Sequence, residues 1–329
     1  MRIAEEIMMK RLPGLLCAVV LVVGTATLAQ AQNYPKGPIN LVIPYAPGDA
    51  TDLAARPMAE ELSKLLKVPI LVINRPGAGG ALGLETVVKA NKDGYTILII
   101  TNGTLVFRRI LDPATTSSDP EKDLVPLGFA TRMPTVLAVR SNLPYKNLAE
   151  LVEFAKKNPN QVRFGTAGAG TIGDFTVVHV NALTGAGITM VPFKGASPAL
   201  TDVLGGHIEG VAVALGVVSA HVKNGALKAI GISSRFPEFP DVPTLADLGY
   251  RQNIFGFWVG FFAPAGVPAE VTNALVPAIE SVVKNPGIAA KLLPRGLVQE
   301  YGSPEMLLNE MREEYRAVEA VAKKSGIVK

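Results

Sequence analysis

The stretch LVIPYAPGDATD, residues 41–52, indicates the fold class because it joins a strand, a turn and a helix start. Residues 41–43 are apolar and β-prone, and the two prolines and Gly48 that follow end the strand. Asp49, Thr51 and Asp52 are residue types that cap the N-terminus of a helix, and helical sequence follows them. A helix that begins at the carboxyl end of a strand directs backbone N–H groups into the space beyond the sheet. This unit is therefore suited to binding a small anion.

The same alternation of strands and helices continues along the chain. Strand-like segments at 70–74 and 96–101 flank a helical segment at 81–90, and a second block repeats this order between residues 135 and 233. Short connections in this order predict parallel sheets with helices on both faces. With 329 residues, of which 48% are hydrophobic and 18% charged, the chain can form two such globular units.

Two segments, 127–135 and 255–262, are predicted to cross between the units. The second is rich in phenylalanine and contains the only tryptophan. We favour burial in the core for its aromatic rings over stacking on a ligand.

Glycine-rich turns follow four of the predicted strands, at residues 47–48, 77–80, 165–170 and 194–197. Ordinary chain reversal explains any one of them. Several such turns at helix starts, from two units, favour a shared cleft. None of them has the spacing of a P-loop or of a dinucleotide-binding motif.

Other function classes find little support in the sequence. The single cysteine, Cys17, lies in an apolar N-terminal run, and the three histidines lack the spacing of metal ligands. No nucleophile elbow and no basic stretch with interleaved aromatic residues occurs. We therefore expect no catalytic residues, no metal, no cofactor and no nucleic acid partner.

The first 31 residues have the pattern of a secretory signal peptide. Basic residues precede an apolar run at 15–23, and Ala29-Gln30-Ala31 forms a small-x-small cleavage pattern. A transmembrane anchor is the alternative, but the apolar run is too short for one. We expect cleavage after Ala31 and an exported protein.

Motifs over nearly the whole remaining chain resemble the Bug family, the TctC-like periplasmic solute-binding proteins of tripartite tricarboxylate transporters. The clearest matches are PYAPG at 44–48, NRPGAGG at 74–80, VPFKG at 191–195, DVPT at 241–244 and FAPAG at 262–266. Each motif is weak alone, but their combination and order are specific.

The resemblance implies a type II periplasmic binding protein that closes on its ligand like a Venus flytrap. Each of its two α/β domains would contain a mainly parallel sheet flanked by helices, and two crossing strands would join them. The expected division places residues 32–132 and 257–329 in one domain and residues 133–256 in the other.

The function implied is that of a monomeric periplasmic receptor. It would capture a small organic acid and deliver it to integral-membrane transporter subunits. A ligand sensor that signals to a membrane two-component kinase is the alternative, and an exported enzyme is a third class. The facing loops would hold the ligand. On the first domain the expected binding residues are Tyr45, Ala46, Gly48, Asp49, Ala50, Thr51, Thr101 and Asn102. On the second they are Thr166, Ala167, Gly168, Ala169, Gly170, Thr171, Asp174, Lys194 and Ala214.

The chain departs from the family pattern at several of these positions. Asp49 and Ala50 stand where a second glycine and a serine are common, and residues 172–174, ending in Asp174, replace Ser-Ser-His. Val213-Ala214 appears where an Asp-Asn pair is common. Two added acids near the cleft would oppose a multiply charged ligand. The hypothesis is a ligand with fewer carboxylates than citrate, or with an apolar or cationic portion. Alternatively, both acids cap helices and point away from the cleft.

Overall fold

A computed structural model describes residues 34–328, which form two β-sheets flanked by helices. The expected signal peptide lies outside the described residues. In chain order the strands are β1 (Ile39–Ile43), β2 (Ile70–Asn74), β3 (Thr96–Thr101), β4 (Leu124–Met133), β5 (Thr135–Arg140), β6 (Arg163–Thr166), β7 (Thr189–Pro192), β8 (Gly210–Ala214), β9 (Leu227–Ile232), β10 (Phe257–Pro264) and β11 (Val298–Gln299).

Helices cover the sheets and fill the connections between strands. They are α1 (Ala50–Leu66), α2 (Ala81–Val88), α3 (Arg108–Leu111), α4 (Pro120–Asp123), α5 (Leu148–Lys157), α6 (Ile172–Thr184), α7 (Ala196–Leu204), α8 (Leu215–Lys223), α9 (Ala269–Val283), α10 (Pro286–Leu292) and α11 (Pro304–Lys324). Local sequence accounts for the ends of two of these helices. The Ser303 side chain caps α11 by accepting from Met306 N at 3.2 Å, and α5 ends one residue before Asn158-Pro159.

The first sheet has the strand order β11-β4-β10-β3-β1-β2, and the second has the order β7-β6-β8-β5-β9. We call the parts of the molecule built on them the first and second lobes. The two-lobe α/β fold is as expected, but each sheet is mixed rather than mainly parallel. Strands β1, β2 and β3 are parallel, as are β6, β7 and β8, whereas β10 and β5 pair antiparallel with both of their neighbours. The strands that carry the chain between lobes produce this difference, since they enter each sheet without a helical crossover.

The lobes are joined at two crossings. The first occurs at Pro134, which separates β4 of the first sheet from β5 of the second. Proline has no N–H to donate, so it interrupts the ladder where the chain changes sheets. The second crossing leads through residues 255–256 into β10, where Trp258 and Phe261 are buried as expected. We propose domain boundaries at these two crossings, with residues 32–132 and 257–329 in one domain and residues 133–256 in the other.

Candidate functional site

A cavity of about 40 Å³ lies between the lobes, where the parallel strands of both sheets end. Apolar and small side chains predominate in its lining, with a few hydroxyl groups and one carboxyl group. The lining residues are Tyr45, Asp49, Ala50, Thr51, Thr101, Gly103, Met133, Ala167, Thr171, Gly173, Ala196, Ala212, Val213, Ala214, Val217 and Phe257.

The N-terminal ends of four helices border this cavity. Helices α1, α6, α7 and α8 follow the carboxyl ends of β1, β6, β7 and β8, and residues at or next to the start of each helix line the cavity. The residues that precede α1, α6 and α8 make no side-chain capping hydrogen bond to their own helix. Converging N–H groups and helix dipoles give the cavity the character of an anion site.

The Asp49 carboxyl group caps α7 from the opposite lobe. It accepts hydrogen bonds from Ala196 N at 3.2 Å, from Ser197 N at 2.8 Å and from Ser197 Oγ at 2.7 Å. Burial raises the pKa of Asp49, and the hydrogen bonds from Ser197 and Ala196 act against that rise. Asp49 therefore faces the cleft and links the two lobes.

A glycine makes this close approach feasible. Gly195 precedes α7 with φ of +138°, and a Cβ on it would lie 3.0 Å from the Ala46 side chain and 3.1 Å from Asp49 Oδ2. A larger residue would separate the Asp49 loop from the start of α7.

Hydroxyl groups on the first lobe form a connected network at the cavity wall. Tyr45 OH shares hydrogen bonds of 2.7 Å with Thr101 Oγ1 and with Thr104 Oγ1, and Thr104 Oγ1 donates to Gly79 O at 2.7 Å. Burial raises the pKa of Tyr45, so the phenol stays protonated at neutral pH. The network fixes the Tyr45 ring against the β3 end and the 77–80 turn.

A second contact between the lobes involves the glycine-rich turn at 77–80 and the 166–171 loop. Arg108 Nη1 donates to Ala169 O at 2.9 Å, and the Arg108 side chain is buried. A Cβ on Gly79 would lie 2.5 Å from the same Ala169 oxygen. Two of the four glycine-rich turns that the sequence predicted to share a cleft are thus in contact across it.

Asp174 has a different role from Asp49. It accepts hydrogen bonds from Thr166 Oγ1 and from Gly170 N, both in its own lobe, and it does not line the cavity. Burial raises its pKa to about 6, against the hydrogen bonds from Thr166 and Gly170. The alternative that both acids cap helices and point away is thus divided between them: Asp174 points away from the cavity without capping a helix, whereas Asp49 caps α7 and faces the cleft.

Asn102 also lies outside the cavity lining. Its Nδ2 donates to Gly256 O at 3.0 Å and to Glu314 Oε1 at 2.9 Å, while its Oδ1 accepts from Trp258 N at 3.2 Å. The amide therefore ties the end of β3 to the second crossing and to α11. This is a structural role at the hinge rather than a position in the cavity wall.

About half of the other expected residues line the cavity, and the rest lie around it. Tyr45, Ala50, Thr51, Thr101, Ala167, Thr171 and Ala214 line the cavity together with Asp49. Ala46, Gly48, Thr166, Gly168, Ala169 and Gly170 shape the surrounding loops without entering its lining, and Lys194 is exposed to solvent. These outlying residues adjoin the site in sequence, but their side chains or backbone turns face elsewhere.

Several lining residues were missed from the sequence. Ala196 follows the fourth glycine-rich turn, which was a usable signal. Met133 and Phe257 lie on the two crossings, so the crossing prediction could have placed them at the cleft. Gly173 and Val213 lie within two of the departures from the family pattern, which were also usable signals. Gly103, Ala212 and Val217 carry no chemical signal, because apolar or small residues next to a strand end are equally frequent in a core.

The cavity combines a largely apolar lining with the N-termini of four helices, an arrangement suited to a small anion. Within residues 34–328 no group of histidine, cysteine or acidic side chains is arranged to hold a metal ion. In the same range no helix has both the length and the apolar character needed to cross a bilayer.

Comparisons with known proteins agree with this geometry. A model of the tripartite tricarboxylate transporter family receptor matches residues 54–327. Protein BugT of Bordetella pertussis is 30% identical over 321 residues, which cover 97% of this chain and 98% of BugT.

Solved structures give the same result. Rpa4515 of R. palustris, solved with adipate, has a TM-score of 0.84 and 28% identity, over 89% of this chain and 98% of its own. MatC of Rhodopseudomonas palustris, solved with bound malate, has a TM-score of 0.83 and 29% identity, over 88% of this chain and 99% of its own. The chain therefore belongs to the tripartite tricarboxylate transporter receptor family of periplasmic solute-binding proteins.

Proposed function

We propose that this protein is a periplasmic receptor that captures a small carboxylate between its lobes and delivers it to the membrane subunits of a tripartite transporter. The observation that carries the proposal is the convergence of the N-termini of α1, α6, α7 and α8 on one cavity between the lobes. N–H groups from both lobes can share one carboxylate, so ligand binding would favour the closed arrangement.

The bound ligands of two similar structures support the chemical class. Adipate in Rpa4515 and malate in MatC are both small carboxylates. The lining of this cavity adds a constraint of its own, because Met133, Val213 and Phe257 favour a ligand with an apolar portion.

Export and membrane delivery form the remaining part of the proposal. The signal peptide expected at residues 1–31 would direct the chain to the periplasm, where the receptors of this family meet their transporters. A role as a sensor for a membrane kinase uses the same ligand site. Uptake assays in cells that lack the receptor separate the two roles, because transport of the ligand itself stops only if the receptor delivers it.

Calorimetric titration tests the binding step. We expect saturable binding of at least one small carboxylate, and no measurable binding of the corresponding carboxamide, which has the same shape without the charge. The cavity has no cationic side chain among its described lining residues, so the helix N-termini must provide this discrimination. Equal affinity for the acid and its amide would contradict the proposal.

A further inference from the structure

Asp49 places a protein carboxyl group among the helix N-termini that surround the cavity. It belongs to the first lobe, but its three hydrogen-bond donors belong to Ala196 and Ser197 of the second lobe. Its own helix, α1, receives no side-chain cap from it. The N-terminus of α7 is therefore already occupied by an internal carboxyl group when the cleft is closed.

The charges around the cavity can be balanced approximately. A helix N-terminus carries roughly half a positive elementary charge, so the four termini supply about +2. An ionised Asp49 offsets about half of this. Two further acids lie in first helical turns: Asp52 of α1 is paired with Arg56, and Asp174 of α6 is attracted by Arg108. No lysine or arginine is found among the described lining residues, so what remains matches at most one further carboxylate.

The size and lining of the cavity point in the same direction. Its volume of about 40 Å³ is small, so a short ligand suits it better than a long one. Met133, Val217 and Phe257 offer apolar surface and no partner for a second charged group. A second ligand carboxylate would also meet that of Asp49, a repulsive contact.

We propose that Asp49 takes the place of a second ligand carboxylate and thereby restricts the receptor to short monocarboxylic acids with an apolar chain. The inference rests on the proposed function and adds the class of acid. Asp49 would then have two roles: it would select against dicarboxylates, and it would attach one lobe to the other.

The test compares propionate with succinate, which differ by a second carboxylate at the far end. We expect calorimetry to show wild-type protein binding propionate at least about tenfold more tightly than succinate. In Asp49→Gly and Asp49→Ala the donors of α7 are released. The ratio of the affinity for propionate to the affinity for succinate should then fall by about tenfold or more, because the second carboxylate of succinate takes the vacated position.

Ser197→Ala is the matched control. It removes the hydroxyl donor, whereas the carboxyl group of Asp49 remains and still has Ala196 N and Ser197 N as donors. Its selectivity should therefore remain close to that of the wild type. Thermal unfolding of each variant shows that it is folded. A merely structural role for Asp49 would weaken both acids equally and leave the ratio unchanged.

The outcomes separate the inference from the proposed function. Tighter binding of succinate than of propionate by the wild type would overturn the inference alone, as would an unchanged ratio in both Asp49 variants. If a wider panel of carboxylates bound to none of the proteins, the proposed function would fail and the inference with it.

Discussion

At the scale of single residues, Glu314 of α11 is a carboxyl group placed where charge is costly. It accepts hydrogen bonds from Asn102 Nδ2 and from Trp258 Nε1, the latter at 2.7 Å. Burial raises its pKa to about 7, and the Glu310 carboxylate adds to the rise, while these hydrogen bonds and Arg132 oppose it. Its protonation therefore changes near neutral pH, beside the second crossing.

Substitution of Glu314 by glutamine should remove part of the pH dependence of stability. Glu314 is protonated in the native state up to about pH 7 but in the unfolded state only up to about 4.5. Between these values the unfolded state binds fewer protons, so rising pH lowers the free energy of unfolding. At 1.36 kcal/mol per pH unit, Glu314 contributes about 3 kcal/mol to the free energy of unfolding. This contribution is fully present below pH 4.5 and lost above pH 7. Urea unfolding across this range measures the difference between wild type and Glu314→Gln.

Glu313→Gln is the control, since Glu313 is exposed on the same helix. Its pH profile should follow that of the wild type. Trp258, the only tryptophan, gives a second measurement in the native state. Its emission should titrate near pH 7 in the wild type and stay constant in Glu314→Gln. The same pH slope in Glu314→Gln and wild type would contradict the assignment.

The two cleft acids show what can and cannot be predicted at this scale. Their presence near the cleft loops follows from the sequence, and the hypothesis of a ligand with fewer carboxylates rests on it. Asp49 and Asp174 are the same residue type at comparable positions before or within a first helical turn. Only the tertiary structure shows that one accepts from the opposite lobe and the other from its own, because these partners lie 147–148 residues away for Asp49 and eight or fewer for Asp174.

At the scale of elements, the turn at 77–80 must stay thin for the lobes to meet. Gly79 has φ of +59°, and a Cβ there would lie 2.5 Å from the Ala169 oxygen and 3.2 Å from Arg108 Nη1. These are the two atoms of an interlobe hydrogen bond. The turn thus needs glycine both for its backbone conformation and for closure.

Gly79→Ala should impair closure in addition to straining the backbone. We expect about a tenfold or greater loss of ligand affinity, because the added methyl group separates the turn from Ala169. Gly187→Ala is matched for strain, with φ of +69°, but nothing lies within 4 Å of its Cβ. Both variants should lose about 1 kcal/mol of unfolding free energy. Calorimetry distinguishes them, and equal affinities in the two variants would contradict a role of this turn in closure.

The order of elements was largely predictable, and the pairing of strands was not. Apolar runs and turn residues located β1, β2, β3 and the helices between them, and the resemblance to the Bug family is confirmed. The mixed sheets were missed because the pairing of β10 with β3 and β4 joins segments that lie far apart in sequence. Local periodicity carries no information about such pairing.

At the scale of the whole molecule, the described structure is a closed clamp. Two crossings form its hinge. Two polar contacts link the lobes beside the cavity, Asp49 with the start of α7 and Arg108 with Ala169, and the Phe107–Phe175 ring pair adds an apolar contact between the lobes. Each polar contact is a small number of hydrogen bonds, and each bond contributes about 1.5–3 kcal/mol when one partner is charged. These polar groups can exchange their partners for water when the lobes separate, as capture and release require.

Substitutions in the two different contacts should have additive effects on the free energy of closure. Substitutions of two residues within one contact should not. Asp49 and Ser197 share a hydrogen bond, so Asp49→Ala with Ser197→Ala should show a coupling of about 1 kcal/mol in the free energy of closure. Asp49→Ala combined with Gly79→Ala should be additive within about 0.5 kcal/mol, because these residues have no common partner.

Single-molecule fluorescence transfer can measure the closed fraction without ligand. The only cysteine lies in the expected signal peptide, so labels can be attached to cysteines introduced at Lys64 and Lys157, which are exposed on α1 and α5 of different lobes. If the effects on the free energy of closure were additive in both double variants, the Asp49–Ser197 bond would not stabilise the closed state. Strong coupling in both would mean that the cleft closes through one cooperative contact rather than two.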